Sequence, residues 1–263
     1  MLIVGELING MFADIGAAIK EHNKEQIQKR ALSQVACGAD ALDVNCGPAS
    51  RQPLTDMPWL VETIQEVTDK PLCLDSSKPK VIEEGLKAVK NSGVIINSTT
   101  ADKEKLDTLV PMAMKYKARL VGITINEKGI PQNKDQRLEM AAGIVADCQE
   151  KGFPADDLYL DPIVLPVNVA QAQLKDILES IAEFKILSSP GPKTILGLSN
   201  VSQASRNRSL INRTFLTMAV ASGLDSAILN PEDKELIDTL ITAELILNKN
   251  IYCDSYLEAY RKK

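Results

Sequence analysis

KTILGLSNVSQASRNR, residues 193–208, is the stretch from which the rest of the chain is read. Thr194-Ile195-Leu196-Gly197-Leu198 is a short apolar run of the kind a parallel strand makes when both of its faces are buried. The run stops at Ser199-Asn200, and a polar loop with Arg206 and Arg208 follows before a helical pattern begins near Leu210. A buried strand ending on an uncharged amide, beside a basic loop, has the form of a binding site on a rigid edge.

Outward from this stretch the same plan recurs. Strand-like runs occupy residues 2–5, closing on Glu6 and Asn9, then 41–45, 71–74, 93–96, 118–123 and 158–160, and after the opening stretch 225–229. Helical periodicity fills the spaces at about 25–37, 58–68, 79–89, 102–116, 135–151, 173–187, 210–222 and 233–247, with Asp56 as a cap and Pro58 in a first turn. Eight strands alternating with eight helices suit right-handed crossovers. They predict an α/β fold, a (β/α)8 TIM barrel formed as a single domain over residues 1–263. An open doubly wound sheet is the rival, but the first turn lacks its glycine fingerprint.

A net charge of −5 argues against a phosphate-tracking surface, so no nucleic-acid partner is expected. No apolar run approaches the roughly 18 residues of a membrane span, and Glu6 interrupts any signal-peptide core, which predicts a cytoplasmic protein. The five cysteines are dispersed without a C-x-x-C pair, which speaks against a disulfide framework, an iron–sulfur cluster or a zinc site.

In a barrel the active site lies at the carboxyl ends of the strands. The residues there are Glu6, Asn9, Asp43, Asn45, Asp75, Asn97, Asn126, Asp161, Asn200 and Asn230. Such a mouth suits a flat heterocycle with several N–H donors and ring acceptors, since a carboxylate accepts a forked N–H pair and an amide offers one donor and one acceptor. Asp and Asn also end strands as turn formers and caps, and Asn230 fits that reading best. Carboxylates can instead hold a hard cation, but no local metal motif is present and no metal is expected. The one histidine, His22, lies in a charged stretch and reads as a surface residue.

Gly5-Glu6-Leu7-Ile8-Asn9, Leu42-Asp43-Val44-Asn45, Cys73-Leu74-Asp75-Ser76-Ser77, Ile96-Asn97-Ser98-Thr99, Leu160-Asp161-Pro162 and Gly197-Leu198-Ser199-Asn200-Val201-Ser202 together resemble the pterin-binding barrel superfamily. Within it, LINRTFLTMA and YCDSY make the methyltetrahydrofolate:corrinoid/iron–sulfur protein methyltransferases the nearest likeness, end to end. The resemblance implies that Asp75, Asn97 and Asp161 contact the pterin ring, with Asp161 taking the forked edge. It implies that Asn200 reaches the N5 nitrogen that carries the methyl group, that Gln203 and Arg208 close over the ligand, and that Gly197 and Ser199 line it. Glu6, Asn9, Asp43 and Asn45 would be further mouth residues.

The same resemblance implies 5-methyltetrahydrofolate as methyl donor. The acceptor would be the cobalt of a cobalamin carried by a partner, a corrinoid/iron–sulfur protein of the acetyl-CoA pathway, and the enzyme would be a homodimer. The chain has no D-x-H-x-x-G cobalamin motif of its own, His22 standing in EHNKEQ. Departure from N5 would leave negative charge on a tertiary amine, so an Asn200 donor that strengthens in the transition state would assist an SN2-type transfer. The alternatives are a methyltransferase serving a different corrinoid protein, a dihydropteroate synthase, and a folate-binding protein without turnover. The synthases place basic residues after the seventh-strand serine, where this chain reads Ser199-Asn200-Val201.

Overall fold

Eight parallel strands, hydrogen-bonded in sequence order, close into a barrel in the computed structural model, which describes residues 1–261. The final two residues of the expected 1–263 domain lie outside the described ones. The strands are β1 Leu2–Asn9, β2 Ala41–Asn45, β3 Leu72–Asp75, β4 Ile95–Thr100, β5 Arg119–Ile123, β6 Leu158–Asp161, β7 Lys193–Gly197 and β8 Ser226–Leu229. β8 pairs with β1 through Leu2–Ser226 to Gly5–Leu229, which closes the ring.

The helices are α1 Ala13–Glu21, α2 Lys24–Ala36, α3 Pro53–Gln65, α4 Pro79–Ala88, α5 Lys103–Tyr116, α6 Lys134–Glu150, α7 Val167–Ala170, α8 Leu174–Phe184, α9 Arg208–Ala221, α10 Lys234–Ile246 and α11 Tyr256–Tyr260. Side chains alternate along each strand. Val4, Ala41, Cys73, Ile95, Val121, Tyr159 and Ile195 face inward as one buried layer. Their neighbours, such as Leu42, Leu74, Ile96 and Leu160, face outward into the apolar shell beneath the helices. That two-sided burial is why the strands read as continuous apolar runs.

The TIM barrel expected from the sequence is the observed fold, and the differences are local. β1 and β4 run four residues past the expected ends, each across a register shift, between Gly5 and Ile8 and between Asn97 and Thr99. α1 was not anticipated: it is short, has Gly16 in its middle, and Phe12 at its start makes no side-chain cap bond. α3 starts at Pro53 rather than Pro58, because Pro53 already fills the first turn; Pro58 lies inside the helix and Asp56 is buried rather than capping. The Asp56 carboxylate instead meets His22 Nε2 at 3.0 Å, and the His22 ring stacks on Trp59 at 4.7 Å. His22 is half exposed, on the surface as expected, but anchored there.

One buried cation fixes the segment that follows β6. Arg137 on α6 is fully buried; its Nε donates to the Pro162 carbonyl at 2.9 Å and its Nη2 to Gln173 Oε1 at 2.8 Å. Burial lowers its pKa, with the Asp176 charge acting the other way. Arg137→Ala removes these donors and opens a cavity, so it is expected to cost about 3 kcal/mol in urea unfolding, whereas Arg137→Met, which keeps much of the volume, costs less. Wild-type midpoints for both variants would show that the Arg137 brace carries no stability.

Candidate active site

The inward alternation that builds the apolar layer also builds the mouth. One period above that layer, the same strand faces carry Glu6 above Val4, Asp43 above Ala41, Asp75 above Cys73, Asn97 above Ile95, Asp161 above Tyr159 and Gly197 above Ile195. Register sets Asp75 directly beside Asn97. Asn97 Nδ2 donates to Asp43 Oδ1 at 3.2 Å, and Asn45 Nδ2 donates to Asp75 Oδ2 at 2.6 Å. The floor is thus two carboxyl–amide pairs on three consecutive strand ends, β2, β3 and β4.

Asp161 stands apart from these pairs. Ile163 adopts a left-handed backbone, φ 57°, and turns its N–H back onto Asp161 Oδ1 at 2.8 Å. A β-branched residue in that region carries strain on the order of 1–3 kcal/mol, of the kind found where a site dictates the backbone. Asp161 Oδ2 has no hydrogen bond to another described residue. The neighbouring strand, β7, runs into a 3-10 turn, Leu198–Ser202, on which Asn200 is exposed. A methyl group at Gly197 would come within 3.0 Å of the Asn200 amide nitrogen, so Gly197 leaves the room in which that amide sits.

Around the rim, Ser199 Oγ donates to Glu6 Oε1 at 2.7 Å. Arg208, expected in a loop, opens α9; its Nε donates to the buried Ser202 hydroxyl at 3.2 Å and its Nη2 to the Ser199 carbonyl at 3.5 Å. Gln203 is exposed just after the turn. Three expected mouth residues are held as turn formers. Asn9 Oδ1 accepts from the Met11 N–H, Asn126 Oδ1 from Lys128 and Asn230 Oδ1 from Glu232, at 2.9, 3.0 and 2.9 Å. Asn45 does both jobs, since its Oδ1 accepts from the Gly47 N–H while its amide holds Asp75.

Crowding around these carboxyls changes their ionisation. Burial pushes the Asp161 carboxyl up to about 7, against the lowering effect of the Ile163 N–H. Burial, joined by the Asp75 charge, raises Asp43 well above the carboxylate range, although Asn97 and Cys73 donate to it. Burial also raises Asp75 and Glu6, opposed by Asn45 in one case and by Ser199 and then Arg208 in the other. The buried Cys73 thiol is raised too, by burial first and by the Asp43 and Asp75 charges after it. The mouth therefore offers carboxyls near the boundary between proton donor and acceptor, set among amides. Among the described residues no three His, Cys, Asp or Glu side chains are grouped to hold a metal ion, and no helix is long and apolar enough to cross a membrane.

Sequence reading missed Ser202, the Asp43–Cys73 contact and the Ile163 turn. For Ser202 the signal was present, a hydroxyl six residues before Arg208; a left-handed isoleucine leaves no local mark.

The profile of the family described as pterin binding enzyme matches residues 15–230. A methylcorrinoid:tetrahydrofolate methyltransferase of Eubacterium limosum is 27% identical over 271 residues, spanning 100% of this chain and 97% of its own. A methionine synthase of Mycobacterium leprae (strain TN) is 26% identical over 241 residues, 88% of this chain but 20% of its own. Among solved structures, a Yersinia pestis dihydropteroate synthase with a sulfonamide drug superposes with a TM-score of 0.71 at 18% identity, over 95% of this chain and 94% of that one. A Coxiella burnetii dihydropteroate synthase with pteroic acid gives 0.69 at 17%, over 95% and 94%. These structural likenesses concern the fold.

The raised Asp161 pKa has a definite sign. A carboxyl whose folded pKa lies above its unfolded value near 3.9 contributes most to stability below that value, and the contribution is lost as pH rises through about 7. Asp161→Asn is therefore expected to gain stability relative to wild type between pH 5 and pH 8 in denaturant unfolding. A stability difference independent of pH would show that Asp161 ionises normally.

Proposed function

The chain belongs to the pterin binding enzyme family, and on that premise we propose that it is a methyltransferase moving a methyl group between N5 of tetrahydrofolate and the cobalt of a corrinoid on a separate protein. The observation that carries this reading is the placement, at and just past the ends of the neighbouring strands β6 and β7, of Asp161 with one oxygen committed to Ile163 and of the exposed Asn200 amide against Gly197. The end-to-end likeness to a protein named for methylcorrinoid and tetrahydrofolate supports it.

In this reading Asp161 Oδ2 receives one hydrogen of the forked pair from the 2-amino-4-oxo edge of the pterin, while Oδ1 is shared with Ile163. That pair binds the ionised carboxylate, so ring binding draws the proton off Asp161 at neutral pH. Asp75 and Asn97 meet the remaining ring edge. Asn200 donates to N5 as the carbon–nitrogen bond breaks, a bond worth most in the transition state. An amide cannot release a proton at neutral pH, so the proton reaching N5 comes through water from the carboxyl network, where burial keeps Asp43 and Asp75 protonated more readily than ordinary carboxylates. The same groups serve the reverse direction, which is the direction the E. limosum relative's name gives.

The corrinoid carrier is the partner that must reach this mouth. We assign a corrinoid/iron–sulfur protein to that role, with this chain acting as a homodimer in the cytoplasm. Gln203 and Arg208 stand on the β7–α9 segment, where they close over the folate as the carrier docks.

Asn200→Ala is expected to lower the single-turnover rate of methyl transfer by about 100-fold, in the range for loss of one transition-state donor, while the Kd of methyltetrahydrofolate changes by less than about threefold. Asp161→Ala is expected to do the reverse, weakening binding by about tenfold or more. Equal losses of affinity in both variants would contradict this division of roles.

A further inference from the structure

Beside the mouth lies an open groove of about 870 Å³ whose lining carries four cations and, among the described residues, no carboxylate. Arg51 comes from the segment before α3, Lys78 and Lys80 from the start of α4, and Lys105 from α5. None of the four has an acidic partner among the described residues, although Lys103 and Lys115 on α5 and Lys151 just after α6 all do. In a chain of net charge −5, four uncompensated cations around one groove mark it for an anion. The N-termini of α3 and α4, which begin at Pro53 and Pro79 on its walls, add their dipoles in the same sense.

The chain links the groove to the mouth just past the end of β3. Ser77, on its wall, is two residues past Asp75, a Cα separation of at most about 7 Å. Lys105 Nζ donates to the Ser77 carbonyl at 2.8 Å, which holds the cation over that link. Half-exposed Leu54 gives the same groove an apolar strip. The cations come from three separate elements, which suits a linear chain of separate carboxylates better than a compact phosphate.

We propose that this groove receives the tail of the folate: the benzoyl arm along Leu54, and a poly-γ-glutamate chain whose carboxylates meet Arg51, Lys78, Lys80 and Lys105. The proposal rests on the folate reading above and adds to it that the preferred substrate is the polyglutamated form. Each added glutamate contributes one carboxylate, so affinity rises with tail length and the gain is screened by salt.

The test compares binding of 5-methyltetrahydrofolate as its monoglutamate and its pentaglutamate, by calorimetry at 20 and 200 mM salt, in wild type and in the Lys78→Ala/Lys80→Ala double variant. In wild type the pentaglutamate is expected to bind about tenfold tighter at low salt, equivalent to about 1.4 kcal/mol. Both the high salt and the double substitution are expected to bring the ratio of the two Kd values close to one. Equal Kd values in wild type overturn the tail site while leaving the folate reading intact. No binding of either ligand overturns the folate reading, and the tail site with it. A ratio unchanged in the double variant, together with a raised KM for the corrinoid protein, overturns the proposal in favour of a protein-docking groove.

Discussion

Closing the barrel fixes where every inward side chain at a strand end must go, and the rest of the molecule depends on that constraint. Each strand can aim only alternate residues inward, and the ring brings those from eight strands into one shared volume. The lower layer is apolar and packs as a core. The layer above it holds Glu6, Asp43, Asp75 and Asp161, whose carboxyls lose much of their water to their neighbours. A barrel selected only for stability would fill that volume with apolar side chains. Keeping carboxyls there, and holding Ile163 left-handed beside one of them, is a cost borne at a site of chemistry.

Local bonds make that cost tolerable while leaving the chemistry available. Asn45 and Asn97 each steady one carboxyl of the floor, and Ser199, just past β7, steadies Glu6 on β1 across the intervening β8. Behind Asp161 the brace is longer: Arg137 holds the Pro162 carbonyl and Gln173 from the helical layer. The mouth is therefore a carboxyl and amide surface for a flat ring, and the uncompensated cations lie outside it, on helix starts and the segments that lead into them.

Much of this was legible in the sequence, for a physical reason. Strands buried on both faces leave apolar runs, so the order and number of strands could be read, and Asp75, Asn97 and Asp161 stood out because each follows such a run directly. Helix starts were less legible, since Pro53 and Pro58 both suit a first turn and only packing chooses between them. α1 was invisible because a short helix with a central glycine and no cap gives weak local signal. Long-range contacts carry no local signal at all. Ser199 and Glu6 are 193 residues apart, and nothing near either announces the bond. The same limit hid the turn-forming role of Asn9 and Asn126, which look like mouth residues until their side-chain oxygens are followed to the next N–H.

The central claim is that this mouth transfers a methyl group between folate and a corrinoid. The most direct measurement is one anaerobic mixing of the wild-type protein and 5-methyltetrahydrofolate with cob(I)alamin, following the cobalt spectrum. The account predicts conversion to methylcobalt in a single turnover, faster than in the absence of protein. An unchanged cobalt spectrum, under conditions where folate binding is demonstrated by calorimetry, would contradict it and leave a protein that binds the pterin without transferring its methyl group.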